Sequence, residues 1–207
     1  MKTRRTIGIV SAAIALLIVG AQPMFANDSA IDGATIQSAT AFGADLSSKP
    51  YPNEAGGQDA QTCDESPADA CTRVMTAAYG SHGILKAPKS GTIGKIQVIA
   101  LDPGSFRLYM VKANPNDSNQ YKATRKGPKV SYVGQPNSGP TKVETFNISM
   151  HVEKGEQIAI KAGLFSALQG GSGSNHSLEF QPGLAVGAPY ATADNDGWYM
   201  LIRLVYN

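Results

Sequence analysis

Two cysteines, three histidines and one tryptophan are all that 207 residues offer of the side chains that most often carry metal, redox or stacking chemistry. The histidines, His82, His151 and His176, fall into no His-Glu-x-x-His spacing, so no local metal site of that kind is encoded. Glycine-serine runs are present, but "GGSGS" never completes Gly-x-Ser-x-Gly and no strand-to-helix unit surrounds it, which removes the nucleophile elbow. No run of bases is longer than Arg125-Lys126, and no aromatic ladder interleaves with the bases, so the footprint of a nucleic-acid-binding domain is missing. No stretch keeps a helical period. The one long uncharged apolar run, Ile7 to Ala21, is 15 residues, short of the roughly 20 that span a bilayer.

That run has the build of an export leader. Lys2, Arg4 and Arg5 precede it and "QPMFA" follows, which reads as a cleaved secretory signal within residues 1–26. Ala21 and Ala26 are the two candidate cleavage points, and no membrane association is expected once the segment is gone. Removing its three bases leaves 15 basic residues against 16 acidic ones, so the mature protein is close to neutral. The remaining charge is uneven. Residues 27–71 carry eight acids and one base, Lys49, whereas residues 72–207 carry fourteen bases and eight acids. The basic part could face an anionic surface such as a cell-wall polymer.

What is present in quantity is strand and turn. Residues 27–38 are small, polar and without period, a flexible start to the mature chain. Residues 39–207 read as one domain, long enough for a substantial core. Its β-branched and aromatic runs are 92–101, 106–113, 129–134, 144–152, 156–162, 177–180 and 197–207, separated by turn residues such as Asp102-Pro103-Gly104 and Asn114-Pro115-Asn116-Asp117. This spacing predicts an all-β fold, a single antiparallel β-sandwich. In "TFNISMHV", Phe146, Ile148, Met150 and Val152 share one face and Asn147, Ser149 and His151 the other. The run 197–207 is apolar on both faces and is expected to be one central strand. The segment 163–177 is the expected mobile surface loop.

Candidate chemistry is sparse. Glu144, Glu153, Glu156 and Glu179 could only form a glycosidase pair by converging from separate strands; at strand ends and turns they read as solvated residues. Asp194 and Asp196 offer oxygen ligands for Ca2+, but no EF-hand follows from them, and Asp196-Gly197 reads as a hairpin turn into the last strand. Trp198, Tyr199 and Tyr190 are candidates for stacking on sugar rings, against a competing role in the core.

Cys63 and Cys71 enclose Asp64, Glu65 and Asp69. A metal clip would need further soft ligands nearby, and a redox pair would favour Cys-x-x-Cys. In an exported protein the economical reading is a structural disulfide. Closing that nine-residue loop would be worth about 2.6 kcal/mol on loop entropy alone.

Phe42-Gly43-x-Asp45-Leu46, the paired cysteines, Pro88-x-x-Gly91-x-Ile93 and Gly155-Glu156-x-Ile158 follow one another in an order that resembles a group of secreted actinobacterial-type proteins of unknown function. Those proteins have Asp where Glu156 stands here. The resemblance implies a jelly-roll-like sandwich over residues 38–207 and brings no catalytic residues. Together these readings lead to an expectation of a secreted, non-catalytic module that binds an envelope polymer or glycan and needs no cofactor. A self-associating matrix-type protein and, behind it, a glycan-directed hydrolase are the alternatives. Oligomeric state is not legible.

Overall fold

Alternation of apolar and polar residues becomes strand along most of the chain. The structure, a computed structural model, describes residues 40–47, 49, 71–135, 141–162, 168–170, 176–197 and 199–207. The residues read as an export leader and as the start of the mature chain, together with Cys63 and Trp198, lie outside the described residues. Thirteen strands occur among those described: β1 (Ala41–Gly43), β2 (Thr72–Met75), β3 (Gly91–Val98), β4 (Gly104–Asn114), β5 (Asp117–Tyr132), β6 (Glu144–Val152), β7 (Gln157–Lys161), β8 (Gln169–Gly170), β9 (Ser177–Phe180), β10 (Ala191–Thr192), β11 (Asn195–Gly197), β12 (Tyr199–Met200) and β13 (Ile202–Tyr206).

They form a four-stranded sheet, β1-β13-β3-β6, and a seven-stranded sheet, β10-β5-β4-β7-β2-β9-β11, with β12-β8 as a separate pair. Every ladder is antiparallel. The pairing is nested: β4 with β5, β3 with β6, β2 with β7, and β1 with β13. Up to β7 the chain changes sheet at each connection except the β4–β5 hairpin, which is the jelly-roll arrangement. The expected all-β antiparallel sandwich is therefore the observed fold.

Inward residues of both sheets meet in one core. Ile96 and Val98 from β3, Met150 and Val152 from β6, and Ile202 and Leu204 from β13 lie against Phe106, Leu108, Met110, Val130, Ile158 and Ile160 of the larger sheet. Each fully buried side chain of this size contributes about 1.5–3 kcal/mol. The larger sheet is apolar on its outer face too. Val74, Tyr109, Val111, Tyr121, Ala123, Ala159 and Phe180 form a second cluster with Leu184. Leu184 belongs to a strap, residues 181–193, that crosses this face. Its Leu184 N–H donates to Thr72 Oγ1 at 2.9 Å, Val186 bridges Ala123, and Ala191–Thr192 pairs with β5.

The turn motifs are clasps. Gly155 N–H donates to Ala87 O and Ala87 N–H to Glu156 O, both at 2.8 Å, so the segments around Pro88 and Gly155 hold each other. Gly43 has φ +106°, and a Cβ there would lie 2.4 Å from Ile202 O, which only glycine avoids.

Three expectations change. The run 197–207 is not one strand: Gly197 ends β11 in the larger sheet, β12 pairs with β8, and β13 is central in the smaller sheet. It is apolar on both faces because it crosses from one sheet to the other, with Met200, Leu201 and Ile202 buried on the way. Asp196-Gly197 is accordingly not a turn but part of β11, opposite Leu178 and Ser177 of β9. In the expected surface loop, Leu168, Gly170 and Ser177 are buried, because β8 and β9 are built from it.

Candidate anion-binding site

The β4–β5 ribbon is a hairpin turned at Asn114–Asp117, where Asn114 Oδ1 accepts the Asn116 N–H at 3.0 Å. Because Phe106, Leu108 and Met110 fill the core, Arg107 and Tyr109 face outward. On β5, Val130 and Tyr132 point inward and Lys129 outward. A register shift separates Lys129 from Lys126, and Gly127 fills the bulge, where a Cβ would meet Met150 Sδ at 2.6 Å.

That register sets Lys129 directly opposite Arg107, and β7 sets Lys161 opposite Arg107 on its other side. Three cations thus stand in a row across three strands, about 4.8 Å between neighbours by strand spacing. Lys126, opposite Tyr109, lies one step along. None of the four makes an ion pair among the described residues; Arg107 Nη1 donates to Gly127 O at 3.2 Å, which fixes the guanidinium. The strap is held at Thr72, opposite Lys161, and at Ala123, while Lys126 and Lys129 are exposed. Like charges placed opposite one another in a sheet are destabilising, and no acid among the described residues pairs with the row.

The other end of the ribbon is neutralised. Lys112 Nζ lies 2.7 Å from Glu153 Oε2, and Arg125 Nη2 lies 3.2 Å from Glu153 Oε1 and 3.6 Å from Glu156 Oε1. The hydrogen bond from Lys112 holds the Glu153 carboxyl below its ordinary value, and the same bond raises Lys112. Glu156 is fully buried; its carboxylate accepts the Glu153 N–H at 2.7 Å and lies 2.5 Å from Thr124 Oγ1. Glu179 is buried as well, opposite Arg73 and in a hydrogen-bonded ion pair with it. Glu144 accepts the N–H groups of Val133 and Gly134. The expectation of four solvated glutamates fails for Glu156 and Glu179: Glu179 has Arg73 directly opposite on β2, and Glu156, just before β7, has Arg125 of β5, the Thr124 hydroxyl and the Glu153 N–H to offset its burial. Only Glu153 and Glu156 are brought together.

Of the stacking candidates, Tyr199 is half-buried, with His176 stacked on its ring at 3.7 Å and Tyr79 edge-on at 5.4 Å, so one face is taken by the protein itself. Tyr190 is half-buried under the ammonium of Lys122, 4.8 Å from the ring centroid. Asp194 is exposed and its Oδ2 accepts the Gln181 N–H at 2.6 Å, which already employs one oxygen of the calcium candidate. Among the described residues no three His, Cys, Asp or Glu side chains cluster as metal ligands. Cys71 is completely buried, Sγ 3.6 Å from Glu179 Oε1, and no described cysteine is free.

A serine, a histidine and an aspartate do meet near the start of the domain. Ser81 Oγ and Asp45 Oδ2 lie 3.2 Å and 3.1 Å from the same ring nitrogen, His82 Nδ1. A catalytic triad places serine and carboxylate at opposite nitrogens. Asp45 instead caps its own turn: hydrogen bonds from the Ser47 hydroxyl and N–H, then from His82, pull its pKa to about 2.

The sequence offered "RKGPK" at 125–129 as the visible trace of the cationic corner, but Arg107 and Lys161 are distant in sequence and join it only through register. No protein-family model, no curated protein and no solved structure matches the chain.

Proposed function

We propose that this chain is an exported, non-catalytic jelly-roll module that binds an anionic polymer of the cell envelope or extracellular surface through Arg107, Lys129, Lys161 and Lys126. The observation that carries the reading is the unpaired row across β5, β4 and β7. Three adjacent cations without a paired acid among the described residues carry a stability cost, and a polyanion laid across the strands offsets it. Arg107, held by Gly127 O, presents its remaining donors in a planar fork suited to carboxylate or phosphate. The leader-like residues 1–26 and a paired Cys63–Cys71 belong to the same reading: an exported domain stapled outside the reducing compartment.

The test is binding of the mature protein to polygalacturonate and to polyphosphate across a salt titration. Three to four ionic contacts should weaken binding roughly 30-fold or more between 50 and 200 mM salt. The R107A/K129A/K161A variant should lose binding at all salt concentrations. Unchanged binding by that variant would overturn the proposal.

A further inference from the structure

The row Lys129–Arg107–Lys161 lies across β5, β4 and β7, and strand register fixes what stands beyond each of its ends. On the β7 side the next strand is β2, where Thr72 is opposite Lys161. After it comes β9, where Phe180 is opposite Thr72. Both positions are shut: Thr72 is 0% exposed and Phe180 1%. The strap closes them, since Leu184, itself buried, donates its N–H to Thr72 Oγ1 and shares a cluster with Phe180.

One long side of the row is walled as well. A step toward the hairpin, on the same face, Tyr109, Ala159 and Val74 stand opposite one another on β4, β7 and β2. All three are buried in the cluster that Leu184 joins. The β5 end is different. Lys129 and Lys126 are exposed, and on its other side β5 meets β10 and Val186 only at Gln120, Tyr121 and Ala123. Among the described residues none of these pairings reaches Lys129. The row is therefore a ledge about 10 Å long, two strand spacings, open at Lys129 and closed at Lys161.

A polymer bound along its middle has chain leaving in both directions, and straight passage over this row stops at Lys161. A chain end needs only one exit. We propose that the row is a terminus-binding site, which takes the free end of an anionic chain. The last charged group sits at Lys161 and the next ones at Arg107 and Lys129. This rests on the polyanion reading above and adds to it which part of the polymer is recognised. Lys161 is half-buried where Lys129 is exposed, so the terminal contact is the less screened by salt and the stronger of the two.

Linear inorganic polyphosphate, whose ends are alike, tests this with the mature protein. Titration calorimetry against chains of increasing defined length should saturate at one protein per chain end, however long the chain. Capping the terminal phosphates as benzyl phosphoramidates should weaken binding roughly tenfold or more, the effect of losing one charged hydrogen bond. K161Q should weaken binding to uncapped chains to a similar degree and bring no further loss on capped ones. K129Q, at the exposed end, should weaken both alike. A protein count that climbs with chain length, or equal binding of capped and uncapped chains, would overturn the terminus site while leaving the polyanion reading in place. Absence of binding to every polyphosphate would overturn both.

Discussion

The two ends of the β4–β5 ribbon carry similar numbers of cations and treat them oppositely. At the hairpin-proximal end Lys112 and Arg125 are met by Glu153, and Arg125 also approaches Glu156, whose carboxylate is fully buried. At the far end Lys129, Arg107 and Lys161 stand side by side with no acid paired to them among the described residues. The first arrangement explains itself as structure, since a buried carboxylate needs donors and a cation. The second has no structural rationale within the described residues. That contrast is the ground on which the proposed polyanion partner rests.

The contrast can be broken most strongly at the neutralised end. Glu156→Ala removes the acceptor for the Glu153 N–H and the Thr124 hydroxyl and leaves Arg125 beside an empty buried site. A loss of about 2–4 kcal/mol is expected from denaturant unfolding, with polyanion binding unchanged in the folded fraction. A loss below about 0.5 kcal/mol would show that the buried carboxylate does not hold the turn. At the open end the sign reverses. K129Q/K161Q relieves the row and should stabilise the fold by up to about 1 kcal/mol, a rise of about 2–4 °C in Tm, while binding falls. Destabilisation there would mean that the row has an unrecognised structural partner.

The smallest effect belongs to Glu153. Its carboxyl is held low by Lys112, and then by Arg125, so the folded state binds its proton less readily than the unfolded chain. The stability it adds is present above the unfolded pKa, about 4.3, and is lost as pH falls through the lower folded value. Glu153→Gln should therefore flatten the acid limb of a pH–stability curve and change neutral-pH stability little, as expected of a solvent-exposed ion pair. An acid limb identical to the wild type would place that stability elsewhere, Asp45 being the other depressed carboxyl among the described residues.

Much of the fold was readable because strand periodicity is local. "ETFNISMHV" and "SLEF" coincide with β6 and β9 to the residue, and the turn at Asn114–Asp117 is where it was expected. The polar stretch of β5 from Asp117 to Pro128, most of the strand, was not read as strand, because its apolar content is low and its support comes from the register with β4. The run 197–207 misled for the converse reason: alternation survives a change of sheet, so one pattern hides three pairings. The site was least legible. Charge opposition depends on which strands become neighbours, and Arg107, Lys129 and Lys161 are separated by 22 and 32 residues along the chain.

The nested pairing of strands also sets an order in time. The β4–β5 turn closes over two residues, whereas β1 reaches β13 only by closing a loop of more than 150. Loop-closure entropy makes the inner pair the least costly to form and lets each outer pair inherit a shortened gap from the one inside it. Folding should then proceed like rolling a strip from its middle, from β4–β5 outward. Conservative substitutions at Met110 or Val111 would show φ-values well above those at Phe42 or Leu204, and the reverse ranking would reject that order. On this view the hairpin that carries the cationic row is also where the chain first takes shape.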